Sequence, residues 1–240
     1  MLMKHFPTTL KPDIKMLKDS QPASLLPQQS DLSIDKGFEV NQVINFVDKN
    51  IVNFFQYYKI NEESEKENWI SNLLVRHFQI CNREQGGYFP YDFSKNPPQV
   101  ASGKETDIGV YVNTRTSKAV PIIEFESKRF CDSSNNKEYV QGERGGIERF
   151  KRGHHSAHLN VCGMFAFVQK PEIDDWISKV NSWITELAKA NEDTSIDWTG
   201  EHEPLVKVDR FPKVEKLSSQ HIRKQAGDII FLWHYFIDLN

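Results

Sequence analysis

From position 38 to 60, apolar residues recur at three- and four-residue steps: Val40, Val43, Ile44, Val47, Ile51, Phe54, Phe55 and Tyr58. That spacing predicts an amphipathic helix. A second helix is predicted over 65–81, with Trp69, Ile70, Leu73, Leu74, His77, Phe78 and Cys81 on its stripe. Ser64 and Glu67 stand at capping-box spacing at its start. The period then shortens. A short strand near 88–93 precedes two clearer ones, 107–112 (DIGVYV) and 119–130 (AVPIIEFESKRF), joined by a short polar link that reads as a hairpin loop. Residues 138–151 read as a helix weakened by Gly145 and Gly146. The unbroken apolar run 161–169 predicts a central strand buried on both faces. A helix follows over 174–190, carrying Trp176, Ile177, Val180, Trp183, Ile184 and Leu187 on one side, and a terminal hairpin joins 214–223 to 229–239 across a KQAGD turn. Residues 1–37, with Pro7, Pro12, Pro22 and Pro27, show no sustained period and read as an irregular arm. The expectation is an α/β fold with a mixed central sheet flanked by helices. It is a single domain over 38–240 with an N-terminal helical extension and a C-terminal β-hairpin.

Composition narrows the class of partner. The 240 residues are 38% hydrophobic, enough for one substantial core, and the formal net charge of −3 rules out a polycation. A nucleic acid would therefore be held by a local basic surface. Cys81, Cys131 and Cys162 show no CxxC or zinc-finger spacing, which suits free thiols in a reducing compartment. The start of the chain has no apolar h-region and no apolar run is long enough to span a bilayer, so a cytoplasmic protein without membrane contact is expected.

The chemistry concentrates in IIEFESKRF. Strand alternation puts Glu124, Glu126 and Lys128 on one face and Ile123, Phe125 and Ser127 on the other. Asp107 opens the preceding strand, and hairpin pairing sets it across from the region of Phe125 and Glu126. Opposed carboxylates repel unless a cation lies between them, and a hard divalent ion with oxygen ligands suits that gap. The same residues could form a solvated charge ladder with a turn-capping acid. The arrangement of all three on one face favours function over that reading.

With Asp107 followed by Glu126-Ser127-Lys128, and 18 residues between the two acids, the chain resembles the PD-(D/E)XK phosphodiesterase superfamily. The resemblance covers roughly residues 62–170. It implies a restriction-endonuclease-like αβββαβ core, Mg²⁺ or Mn²⁺ held by Asp107 and Glu126, and Lys128 assisting the nucleophile. Glu67 is the candidate for the glutamate that many members carry on the first core helix. Glu124 beside the triplet is a further candidate metal ligand, and Thr106 stands where proline often precedes the first acid. Implied activity is endonucleolytic hydrolysis of DNA, with RNA as an alternative substrate, in restriction, anti-phage defence or repair. Arg144, Arg149, Lys151 and Arg152 are candidate phosphate contacts, set against ordinary salt pairing along a helix.

His154, His155 and His158 lack partners at metal-ligand spacing and are expected in a loop, while His234 alternates with Leu232 and Phe236 as a core histidine. Cutting both strands of a duplex with one such site calls for a homodimer or a subunit of a larger complex. The competing class is a catalytically silent module that keeps the fold to bind nucleic acid or a partner protein.

Overall fold

The protein is described from a computed structural model. The described residues are 34–86, 89–97, 105–113, 120–132, 135–142, 145–170, 172–190 and 195–240. Residues 1–33 of the expected arm over 1–37, and the phosphate-contact candidate Arg144, lie outside them.

Three helices come first: α1 (Ile34–Ile51), α2 (Phe54–Ile60) and α3 (Glu67–Glu84). The single helix expected over 38–60 is thus two, broken by a turn at Val52 and Asn53. Helix α1 also starts inside the expected arm, at Ile34. Strands β1 (Tyr91–Lys95), β2 (Ile108–Val112) and β3 (Ile123–Phe130) follow, then α4 (Gly146–Lys151), β4 (Val161–Val168) and α5 (Ile173–Ala190). Three strands close the chain: β5 (Val206–Phe211), β6 (Val214–Arg223) and β7 (Asp228–Asp238). The helix expected over 138–151 shrinks to a 3₁₀ turn at Asn136–Tyr139 and the short α4. Gly142 lies between them at φ +105°, a value that an uninterrupted helix cannot accommodate. Strand β5 has no apolar alternation: none of its residues is buried, and it forms a charged edge beside β6 with a bulge between Lys207 and Asp209.

The strands form one mixed seven-stranded sheet in the order β1-β2-β3-β4-β7-β6-β5. β3, β4 and β7 run parallel at its centre, and the outer pairs are antiparallel. Strand β4 shows why its sequence is apolar throughout. Val161, Phe165 and Phe167 enter one core with α1, α2 and α3, while Cys162, Met164, Ala166 and Val168 enter a second core with α4 and α5. Gly163, paired with Phe125, leaves room for that ring: an added Cβ would lie 2.3 Å from Phe125 Cδ1. Helix α1 is tied to the sheet by Asp48, which accepts from Lys216 Nζ at 2.6 Å and from Tyr235 Oη at 2.7 Å. Among the described residues, no helix is long and apolar enough to cross a membrane.

Candidate active site

Two neighbouring strands create the site by register. Ile108 pairs with Phe125, so Asp107, one residue earlier, arrives beside Glu126. Asp107 Oδ2 accepts the Ser127 N–H at 2.7 Å, and its main-chain oxygen accepts the Asn96 N–H at 2.9 Å, which ties the end of β1 to the same point. Burial raises the Asp107 carboxyl to about 6, helped by the charge of Glu126 and opposed by Lys128 and Lys95.

Glu126 is 2% exposed. Its Oε1 accepts Lys128 Nζ at 2.8 Å and, more weakly, Arg149 Nη1 at 3.4 Å. Its buried Oε2 accepts no hydrogen bond among the described residues. His155 Nε2 lies 3.6 Å from that oxygen. That nitrogen is also 2.7 Å from Arg149 Nη1, and a guanidinium can only donate. Nε2 therefore accepts, the imidazole proton sits on Nδ1, and His155 cannot serve Glu126 Oε2 as a donor. A buried carboxylate oxygen left without a donor is costly, more so than a neutral group's ≈ 1–3 kcal/mol.

Lys128 lies between Glu126 and Glu67, whose Oε1 is 3.9 Å from Nζ. Burial would lower the ammonium, but Glu126, Glu67 and Asp107 outweigh it and the group is raised above the ordinary lysine value. Lys128 is a fixed cation. Glu67 does not complete the expected capping box. Helix α3 is capped by Lys66 without a side-chain bond, and Glu67 is its first residue. The Glu67 carboxylate reaches β3, where Oε2 accepts the Arg129 N–H at 2.8 Å. Burial raises Glu67, with Asp107 adding to the effect and Lys128 opposing it. A cavity of about 200 Å³ opens beside Lys66, Glu67 and Lys128.

The remaining candidates separate. Glu124 is fully buried, and its carboxylate is engaged by the Ser156 hydroxyl. Lys151 is not a phosphate contact: its side chain has no exposure, pairs with Glu203 and donates to the Asp197 carbonyl at 2.7 Å. Arg152 is held by Glu148 and by Ser195 Oγ, each at 2.8 Å. Arg149 faces Glu126 from the end of α4.

Two residues of this site were not assigned to it from the sequence: His155 was expected only as a loop residue, and Lys95 was not singled out. His155 stands too far along the chain from Glu126 for any local spacing to reveal it. It is brought in by a loop that Arg223 clamps, donating to Leu159 O at 3.0 Å and Asn160 Oδ1 at 2.8 Å while paired with Asp228. The C-terminal hairpin thereby fixes one wall of the site. Lys95 did carry a signal. It follows Tyr91 and Phe93 on the buried face of β1, the same anomaly of charge on an apolar face that marks β3. Its Nζ is buried without a hydrogen bond among the described residues. Burial lowers its pKa against the pull of Asp107, Glu126 and Glu67.

Among the described residues no group of three or more His, Cys, Asp and Glu side chains is placed to hold an ion; the acids meet as a pair. Comparison with family models, curated proteins and solved structures finds no match to the chain.

Proposed function

We propose that the chain is a divalent-metal-dependent phosphodiesterase that hydrolyses nucleic acid, DNA in the first place. The observation that carries this reading is the Asp107–Glu126 pair, with a buried Glu126 oxygen left open beside the protonated Lys128. The element order from α3 through β1, β2, β3 and α4 to β4 supports it, because it follows the αβββαβ order of the PD-(D/E)XK resemblance.

The donor set fits Mg²⁺ or Mn²⁺. Mg²⁺ is commonly held by one or two carboxylates and keeps several waters, so a pair of acids suffices. A cation between Asp107 and Glu126 would relieve their repulsion and satisfy the open oxygen. When bound, such an ion polarises a phosphoryl oxygen and lowers the pKa of water. Lys128, charged and fixed by Glu126 and Glu67, stabilises negative charge as it develops on the phosphorus oxygens. Arg149 and Lys128 hold Glu126 Oε1 from two sides and leave Oε2 to the ion.

Cleavage of supercoiled plasmid, linear duplex, single-stranded DNA and RNA, with Mg²⁺ or Mn²⁺ and with EDTA, tests the reading. The expected result is metal-dependent cleavage that Glu126→Ala abolishes and Lys128→Ala lowers by about 10²- to 10³-fold. Cleavage that survives in both variants contradicts it, and binding without cleavage under any metal points to the silent module.

A further inference from the structure

The phosphate surface expected on α4 is largely spent: Lys151 is buried and Arg152 is tied to Glu148 and Ser195. Helix α3 offers another. Asn72, Arg76, Gln79 and Arg83 recur at four- and three-residue steps, opposite the stripe that packs into the core. Gln79 Nε2 fixes this face to β1 by donating to Phe93 O at 2.9 Å. Arg76 and Arg83 are exposed, and neither guanidinium forms an ion pair among the described residues.

Two cavities run along the stripe, of about 480 and 440 Å³, and meet at Asn72 and Lys95. The second reaches Lys66, which also borders the cavity holding Glu67 and Lys128. At the junction stands the buried, unpartnered Lys95 Nζ. Four cations, Lys66, Arg76, Arg83 and Lys95, thus line a path with one acid, Asp92. On a chain of net charge −3, that is the local basic surface a polyanion needs.

We propose that this groove between α3 and β1 binds the phosphodiester backbone of the substrate and leads it to Asp107 and Glu126. The inference rests on the phosphodiesterase reading and assigns the substrate path of that site. From Lys66 to Arg83 the helix rises roughly 25 Å. At about 3.4 Å per nucleotide this spans roughly seven nucleotides of one strand. Arg76 and Arg83 neutralise phosphates away from the reacting bond, and Lys66 receives the backbone where it enters the site.

The test is binding of fluorescein-labelled DNA, single-stranded and duplex, followed by anisotropy in EDTA between about 50 and 200 mM salt. The proteins are the wild type, Arg76→Glu/Arg83→Glu, and Lys189→Glu, a control at the exposed end of α5, which packs on the other face of the sheet. The double variant is expected to bind about tenfold or more weakly. Its salt dependence should be shallower by about 1.4 in log–log slope for a single strand, or about 1.8 for duplex. The control keeps wild-type affinity. Cleavage by the double variant in Mg²⁺ should show a raised KM with kcat retained. Wild-type affinity and slope in the double variant overturn the groove, as does a wild type that binds neither DNA. Metal-dependent cleavage lost in Glu126→Ala would leave the phosphodiesterase reading standing in that case. Conversely, groove-dependent binding with no cleavage under any metal upholds the surface and removes the activity.

Discussion

The molecule holds two buried polar clusters, built from similar residues and left in opposite states. In the second core, Glu203 accepts Lys151 and the N–H groups of Thr199 and Gly200 at 2.8 and 3.1 Å, with His221 Nδ1 3.5 Å away. His221 bonds Ser219 Oγ at 2.7 Å, Ser219 bonds His234 at 2.8 Å, and His234 bonds Tyr139 Oη at 2.7 Å. Burial pushes Glu203 up, yet His221 and Lys151 overcome it and hold the carboxyl down at about 2. Burial lowers His221 to about 4. On β2 and β3, Asp107 and Glu126 meet as like charges, one buried oxygen lacks a donor among the described residues, and Asp107 rises to about 6. The first cluster answers its one carboxylate with an ammonium and two N–H groups, although His221 Nδ1 makes no hydrogen bond among the described residues. On the function proposed, a cation would complete the second. Burial of charge is common to both; they differ in whether two acids face each other.

Breaking the closed cluster should have the largest effect on stability. Glu203→Ala leaves the buried Lys151 ammonium unpaired and should cost about 3–5 kcal/mol in urea unfolding, while cleavage per folded molecule is retained. The open cluster should respond in the reverse sense. Lys128→Ala is expected to lower kcat by about 10²- to 10³-fold, a barrier change of roughly 3–4 kcal/mol, with a smaller change in unfolding free energy. Asp107→Asn keeps an acceptor for the Ser127 N–H but removes the repulsion with Glu126. It should abolish cleavage and raise stability by about 1–2 kcal/mol at neutral pH without metal. Unchanged or reduced stability in that variant would mean the acids are not in tension.

The smallest effect is on pH dependence, where the two clusters carry opposite signs. His221 is lowered from 6.5 to about 4, so its stabilisation is present above pH 6.5 and lost as pH falls to about 4. Glu203 is lowered from 4.5 to about 2, and its contribution is lost over that lower window. Asp107 is raised from 3.8 to about 6, so its contribution is full below pH 3.8 and lost as pH rises to about 6. Without metal the wild type should therefore gain little between pH 4 and 6. Asp107→Asn, freed of the opposing limb, should gain more over the same range, as urea midpoints at successive pH values will show.

Much of this was legible in the sequence because period and charge placement are local. The 161–169 run became β4 with both faces covered, and 107–112 with 119–130 became the β2–β3 pair whose register joins Asp107 to Glu126. His234 was legible as a core histidine for the same reason. What failed depended on tertiary partners. Strand β5 has no apolar period, since an edge strand needs only the β6 backbone. Ser64 and Glu67 had capping-box spacing, but β3 offered the Glu67 carboxylate an N–H and an ammonium instead. Lys151 and Arg149 looked equivalent on α4 until packing turned one into the second core and the other onto Glu126. His155 depends on Arg223, far along the chain, to hold its loop.

The central claim is that the Asp107–Glu126 pair is completed by a divalent cation. Thermal unfolding at neutral pH with rising Mn²⁺ tests it most directly, in the wild type, Asp107→Asn and Glu126→Gln. The wild-type Tm should climb with Mn²⁺ concentration, with little or no rise in either variant. An equal rise in all three proteins, or none in the wild type, would contradict it.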